Sequence, residues 1–373
     1  MNFLLVCGGT AGHINPALAI ASMLRSKSED AKILFVGAGK ELENKLIPAA
    51  GYHIVNIRMS GLRRSLSPDD IFYNLNTVRN LTTAGIKAEK LISRFKPAAV
   101  IGTGGYICYP ILKKAAQMGI PTVIHGSDAV PGLTTKMLSA TADKVLVSFP
   151  GLEKLYRKPE RVVFTGTPVR TDFSVCSENQ EVPVRPDRPM VVSFWGSLGA
   201  ECMNEMMSEF IKQNANNHIF DHIHATGKNG LEIMKTRLER QGVHMPLPKG
   251  ITIKEYIDDM PAIMASADLA ICRAGASTIA ELTALGKPAV LVPSPYVTNN
   301  HQEENARQLE KAGGAVVLTE KDCTSEKLYD LVCNLLSDKE RLTRMSYAQR
   351  SLATPNAAEK IADIVLELVE SRL

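Results

Sequence analysis

Short apolar runs rich in β-branched residues recur along the chain, most of them separated by helix-length stretches. They lie at 3–8 (FLLVCG), 32–37 (KILFVG), 98–103 (AAVIGT) and 121–126 (PTVIHG), then at 189–196 (PMVVSFWG), 222–227 (HIHATG), 251–256 (ITIKEY), 269–275 (LAICRAG) and 288–295 (PAVLVPSP). Runs without polar alternation are what strands buried on both faces require, and strand–helix alternation marks parallel sheets covered on both sides. The pattern predicts two doubly wound α/β domains, the first over 1–163 and the second over 164–353. Between the two rhythms, SVCSENQEVPVRPDRP at 174–189 is polar and proline-rich and reads as a loop near the junction. The tail AAEKIADIVLELVESRL carries apolar residues at three- and four-residue steps. It predicts a terminal helix over about 354–373 that packs back on the first domain.

Length agrees with this division, because 373 residues exceed what one ordinary core organises. With 45% hydrophobic and 22% charged residues, neither a disordered nor a fibrous chain is supported. The seven cysteines are scattered and never form C-x-x-C, which argues against a disulfide framework or a zinc ribbon and for reduced thiols. MNFLLVCGGTAGH reads as a first strand entering a glycine turn, not as a signal peptide. No stretch approaches the roughly 20 apolar residues of a spanning helix, so neither secretion nor membrane spanning is expected. Charge is lopsided: residues 1–161 hold 21 basic against 11 acidic side chains, and the remainder 22 against 28. A basic first half suits an anionic membrane surface, a phosphate-bearing substrate or nucleic acid, although solvated lysines of no special use would look the same.

Three glycine turns stand at the ends of predicted strands: Gly8-Gly9-Thr10-Ala11-Gly12-His13, Gly102-Thr103-Gly104-Gly105-Tyr106 and Gly196-Ser197-Leu198-Gly199-Ala200. A glycine turn that feeds a helix N-terminus offers backbone N–H groups and a positive dipole end to an anion. None reads G-x-G-x-x-G and no G-x-x-x-x-G-K-[ST] occurs, so the dinucleotide and P-loop readings are weak. One such turn needs no ligand; three together point to phosphate. The loop at 196–200 is suited to a diphosphate through its N–H groups and the Ser197 hydroxyl. The stretch 268–288 delivers a strand through Gly275 into a helix carrying Ser277, Thr278 and Glu281. Ser277 and Glu281 lie four apart and can face one ligand, with the carboxylate accepting from a ribose diol. The plainer alternative is that Glu281 only favours the helix N-terminus.

At these residues the chain resembles the family of peptidoglycan glycosyltransferases that convert lipid I to lipid II. The likeness runs through GGTAGHINPALAIA (8–21), IGTGGY (101–106), GIPTVIH (119–125), AVPGLTTKMLSATADKVLVSF (129–149), TGTPVR (165–170), YIDDM (256–260), CRAGASTIAEL (272–282) and HQEENARQLEKAGGA (301–315). It implies a GT-B fold of two Rossmann-like domains facing a cleft, with the lipid acceptor on the first and UDP-N-acetylglucosamine on the second. Carried over by position, Ser197 and Arg170 would serve the diphosphate, Ile257 the uracil through its backbone, and Ala276, Ser277, Thr278 and Glu281 the uridine. Gln302 and Asn305 would reach the sugar. Thr10, Ala11, Gly12 and His13 would face the reacting centre, beside an acceptor-side loop of Gly104, Gly105 and Tyr106.

The implied reaction is inverting transfer, with an acceptor hydroxyl attacking C1 as UDP leaves. His13, whose imidazole can accept a proton, is the candidate base, and Asp128 is a second. No Asp-x-Asp occurs and His13, His125 and His301 lack ligand-like neighbours, so no metal and no cofactor are expected. The implied partners are UDP-N-acetylglucosamine, an undecaprenyl-linked acceptor and an anionic membrane surface, with no nucleic acid, at the cytoplasmic face of the cell membrane. The segment 61–96 sets Ile71, Phe72, Leu75, Val78 and Leu81 among Arg63, Arg64, Arg79 and Lys87, a stripe that suits either a membrane surface or the core.

The chain also departs from the family pattern. Where the family usually reads H-E-Q-N it has His125-Gly126-Ser127-Asp128; it has Ala11 in place of a glycine, and Trp195 in place of the first glycine of Gly-Gly-Ser. These departures keep open a related transferase with another acceptor and a catalytically weak UDP-sugar binder. A nicotinamide-dependent oxidoreductase is disfavoured by the missing fingerprint.

Overall fold

Strand β1 (Asn2–Cys7) converts the apolar pattern into architecture. Successive strand residues face opposite sides, so Phe3, Leu5 and Cys7 enter one core and Leu4 and Val6 another. The first core is closed by Ile14, Ala17, Ile20 and Leu24 of helix α1 (Ala11–Lys27). The second is closed by Ala88 and Ile92 of α3 (Pro68–Phe95) and Ile111 of α4 (Cys108–Gln117). Because β1 is buried on both sides from Phe3 to Cys7, that run must be apolar. Each such side chain contributes on the order of 1.5–3 kcal/mol. This computed structural model describes residues 1–57, 59, 68–170, 173, 188–196 and 199–372, with the backbone alone at 68–80 and 82.

The chain divides into two units, Met1–Arg170 with Thr354–Leu373, and Thr171–Ala353. The first holds a seven-stranded sheet in the order β3-β2-β1-β4-β5-β6-β7, every pair parallel. Its remaining strands are β2 (Lys32–Gly37), β3 (His53–Asn56), β4 (Ala99–Gly104), β5 (Thr122–Gly126), β6 (Lys144–Val147) and β7 (Val162–Phe164). Strand order reverses direction between β1 and β4, the switch point at whose carboxyl end open α/β sheets bind ligands.

Helix α13 (Ala357–Glu370) belongs to this first unit. It buries Ile361, Ala362, Val365 and Val369 in the core beneath α1, and Lys27 of α1 pairs with Glu359 at 3.2 Å and Asp363 at 2.7 Å. The returning chain enters at Thr354 against Gly166, whose φ of +84° and lack of a side chain admit it. A Cβ there would fall 1.9 Å from the Thr354 hydroxyl oxygen.

The second unit holds six parallel strands in the order β10-β9-β8-β11-β12-β13. They are β8 (Met190–Phe194), β9 (Asp221–Ala225), β10 (Ile251–Lys254), β11 (Leu269–Cys272), β12 (Ala289–Leu291) and β13 (Ala315–Val317). Its core joins Phe210 of α6 (Glu201–Asn217), Phe220, Tyr329 and Val332 to Val191, Leu269, Ile271 and Val290 of the central strands. The switch point here lies between β8 and β11. The sheet also buries polar side chains: the Ser193 hydroxyl sits 2.7 Å from His222 Nε2 and 2.8 Å from His224 Nδ1, with all three residues shielded from solvent.

Two sequence expectations fall largely outside the described residues. These are the loop at 174–189, apart from Arg188 and Pro189, and the stripe of Ile71, Phe72, Leu75 and Val78 with Arg63, Arg64 and Arg79. Of that segment, Leu81 is half-buried and Lys87 exposed on α3.

Candidate active site

In the first unit, the turns after β1, β4 and β5 meet at the switch point. Thr10 caps α1 with its backbone, its carbonyl accepting from the His13 and Ile14 amides at 3.0 and 3.2 Å. Ala11, Gly12 and His13 therefore form the helix's first turn. His13 Nδ1 lies 2.8 Å from the Gly8 carbonyl. A carbonyl only accepts, so Nδ1 carries the proton and Nε2 keeps its lone pair. The Thr103 hydroxyl donates to the His13 carbonyl at 2.7 Å. Gly104, at φ +127°, closes against the ring; a Cβ there would stand 2.4 Å from His13 Cδ2. Gly104 must therefore be glycine both for its backbone and for the imidazole. Gly105 packs on the Gly8 backbone and Tyr106 is left exposed.

One expectation is corrected at this turn. The Gly8 amide donates to the Gly104 carbonyl at 3.1 Å, and the Gly9 amide donates to Glu43 Oε1 at 2.8 Å. Those two N–H groups are spent inside the protein, so the first glycine pair braces His13 and offers an anion neither amide.

The loop that departs from the family pattern stands beside it. His125 is buried and its Nε2 donates to the Gly166 carbonyl at 2.9 Å, which leaves Nδ1 to accept from the Ser127 hydroxyl at 3.3 Å. Burial pushes its pKa down to about 4; the Gly166 carbonyl opposes this, His13 adds to it, and Asp128 opposes it. His13 and Asp128 thus share the electrostatic neighbourhood of one buried ring. Asp128 is half-buried just past β5. Gly126 has a reason: a Cβ there would stand 3.3 Å from the Tyr156 hydroxyl and 3.4 Å from Thr135 Cγ2. That phenol is buried and has no hydrogen-bond partner among the described residues, and burial followed by Asp128's charge raises its pKa to about 12.

In the second unit, Gly275 caps helix α9 (Ala276–Leu285) without any side-chain bond. Ala276, Ser277, Thr278 and Glu281 are all half-buried near its start. Gly199 (φ +75°) lies so close to β9 that a Cβ would meet the Thr226 carbonyl at 2.2 Å. Ser197, assigned to the diphosphate, lies outside the described residues. Ile257 is buried after β10, and Arg170 is exposed at the end of the first unit's long segment.

Gln302, on α10 (His301–Lys311), accepts from the Ser294 amide at 2.9 Å, which orients its carboxamide. Asn305 is placed differently from the sugar contact that the resemblance implied. It has no exposed surface, and its amide donates to the Ala274 carbonyl at 3.2 Å. It anchors α10 to the loop after β11, a supporting role.

Sequence reading missed three groups. Glu43 is wholly buried 34 residues from the turn it braces; as an acid in a helix's first turn it looked ordinary. Arg273 pairs with Glu320 at 2.6 Å, donates to the Val292 carbonyl at 3.0 Å and lies over Trp195 at 5.8 Å. Only a charge ending the apolar run LAIC hinted at it. Tyr156 carried no signal. Among the described residues, no three of His, Cys, Asp and Glu gather in a way that could hold a metal ion.

Two parallel, doubly wound units, each with its turns collected at a switch point, make this a GT-B glycosyltransferase fold. Residues 3–147 match the glycosyltransferase family 28 N-terminal domain and residues 190–364 the family 28 C-terminal domain. The chain belongs to glycosyltransferase family 28.

A protein of Acetivibrio thermocellus is 42% identical over 376 residues, spanning 100% of this chain and 99% of its own. It is named UDP-N-acetylglucosamine–N-acetylmuramyl-(pentapeptide) pyrophosphoryl-undecaprenol N-acetylglucosamine transferase. A Bacillus cereus protein of the same name, numbered 1, is 38% identical over 99% of this chain and 100% of its own. Among solved structures, Acinetobacter baumannii MurG superimposes with a TM-score of 0.74 at 27% identity, covering 98% of this chain and 100% of that one. The calicheamicin glycosyltransferase CalG4, at 18% identity and a TM-score of 0.71 over 99% and 98%, shares the fold.

Proposed function

We propose that this chain is a hexosyltransferase that moves N-acetylglucosamine from UDP-N-acetylglucosamine to undecaprenyl-pyrophosphoryl-N-acetylmuramyl-pentapeptide, in peptidoglycan synthesis. One observation carries the reading: a relative whose name states that reaction is 42% identical along the whole chain. In this proposal the second unit holds the donor, with Glu281 on the ribose, Ile257 at the uracil, Ala276 to Thr278 at the helix start, Gln302 toward the sugar and Ser197 at the diphosphate, while Arg170, the last residue of the first unit's long segment, adds positive charge for the diphosphate. The first unit holds the acceptor along Gly104, Gly105 and Tyr106.

The acceptor hydroxyl attacks C1 as the bond from C1 to the β-phosphate oxygen breaks, so configuration inverts and the electron pair leaves with UDP. The hydroxyl proton passes to His13 Nε2, whose lone pair the Gly8 carbonyl leaves available. Asp128 adds negative charge to the same neighbourhood and favours the imidazolium.

Among the described residues no helix is long and apolar enough to cross a membrane, while the acceptor is lipid-linked and residues 1–161 are basic. We place the enzyme peripherally on the cytoplasmic face, held in part by charge. UDP release, measured with a lipid I analogue in vesicles, tests both parts. Release requires both substrates, runs faster from anionic than from neutral vesicles, and loses that difference at high salt. Release without acceptor contradicts the transfer; equal rates on both vesicles contradict the electrostatic attachment.

A further inference from the structure

The peptide unit joining Gly8 to Gly9 is held at both ends. Its carbonyl accepts from His13 Nδ1 at 2.8 Å, and its N–H donates to Glu43 Oε1 at 2.8 Å. The other carboxylate oxygen of Glu43 accepts from the Gly39 and Lys40 amides at 2.9 and 3.1 Å. Glu43 is wholly buried, and no side chain is possible at Gly37, where a Cβ would fall 2.6 Å from Glu43 Oε2. A carboxylate that spends both oxygens on three backbone amides is fixed in place.

We propose that Glu43 is a positioning residue for the transfer reaction, acting on His13 through the Gly8–Gly9 peptide. This rests on the reading of His13 as the base. A negative charge on the N–H end of a peptide polarises it and makes its carbonyl oxygen a stronger acceptor, because hydrogen bonds in a chain reinforce one another. The strengthened carbonyl holds the Nδ1–H tautomer and stabilises the imidazolium formed when Nε2 takes the acceptor's proton. No proton crosses the peptide: Nδ1 keeps its hydrogen, Glu43 takes up none, and the imidazolium later returns its proton to solvent. A carboxylate orients a histidine in many enzymes by direct contact; here a peptide group stands between them.

The test is a double-mutant cycle on the full chain with UDP-N-acetylglucosamine and a lipid I analogue, using Glu43→Gln, His13→Asn and the pair. Glu43→Gln keeps the shape but cannot accept from all three amides. It should lower kcat about ten- to a hundredfold, the usual cost of losing an outer partner of a working histidine. KM for the donor stays within a few-fold, and the acid limb of the pH–rate profile moves to lower pH. In the His13→Asn background the same change costs nothing further.

If Glu43→Gln lowers the rate equally in both backgrounds, Glu43 serves loop integrity alone and the relay is wrong. If His13→Asn itself retains activity, the base assignment fails instead. Should Glu43→Gln not fold, Glu43→Asp, which keeps the charge but draws it away from Gly9, enters the same cycle with the same two outcomes. In the native chain, nitrogen NMR of His13 must find Nδ1 protonated in the neutral ring, and an Nε2–H tautomer overturns the proposal.

Discussion

Replacing His13 by Asn lowers kcat by about a hundredfold to ten-thousandfold, the range removed with a general base, and leaves UDP-N-acetylglucosamine affinity unchanged. Asn is the informative substitution. Its side-chain amide nitrogen can take the place of Nδ1 and donate to the Gly8 carbonyl, so the turn braced by Gly8, Gly104 and Thr103 keeps its bonds. Only the Nε2 lone pair is lost. His13→Ala, which also removes the bond to Gly8, should be no more than a few-fold worse. Steady-state kinetics with calorimetry of donor binding decide the matter. A His13→Asn enzyme within tenfold of the native rate moves the base role to Asp128, the other ionisable group beside His125.

The second large effect concerns stability in acid. Burial holds the His224 pKa near 3, and burial together with His224 holds that of His222 well below the ordinary value. In the unfolded chain both titrate near 6.5. Below that pH the unfolded chain binds protons that the folded one refuses, so stability rises with pH across this window and is lost as pH falls toward the folded values. Above 6.5 nothing more is gained.

Going from pH 7 to pH 5 therefore costs the second unit on the order of 4 kcal/mol for the two histidines together. That is a large share of the 5–15 kcal/mol typical of a domain. Few carboxylates titrate in that interval, which keeps it specific to histidine. The chain's single tryptophan, Trp195, lies 6.5 Å edge-on from His224 and reports unfolding of this unit by fluorescence. A urea midpoint unchanged between pH 7 and pH 5 contradicts the argument.

What was legible in the sequence follows burial. Strands β1, β4, β8 and β11 are covered on both faces and are mostly apolar, with Asn2, Thr103 and Ser193 the polar members, so the pattern declared them. Edge strands β3 (His53–Asn56) and β7 (Val162–Phe164) are half-exposed; β3 carries His53 and Asn56 on its open faces, and β7 offers only the three apolar residues VVF. Strand β13 (Ala315–Val317) is likewise an edge strand, half-buried at two of its three residues, whereas the equally short β12 is fully buried.

The site divides in the same way. Glycine turns announce themselves because few other residues fit them, and the resemblance attached His13 to one. Glu43 did not announce itself, since the sequence cannot say which amides a carboxylate 34 residues away will bind. The phosphate expectation for Gly8 and Gly9 failed for the same reason: loop composition offers N–H groups, and only tertiary partners decide whether they are spent.

The acceptor is the part of the function that the loop His125-Gly126-Ser127-Asp128 bears on most directly. Gly126 makes room for Tyr156, and a larger residue there must displace the phenol by a few tenths of an ångström. The decisive measurement is transfer of labelled N-acetylglucosamine from its UDP donor into a lipid I analogue, by the native chain and by the Gly126→Glu, Ser127→Gln, Asp128→Asn triple variant. The account predicts that the native chain labels the lipid and that the variant adds at most a few-fold. A native chain that binds the donor yet leaves the analogue unlabelled, while the variant labels it, would contradict the account and assign this loop to a different acceptor.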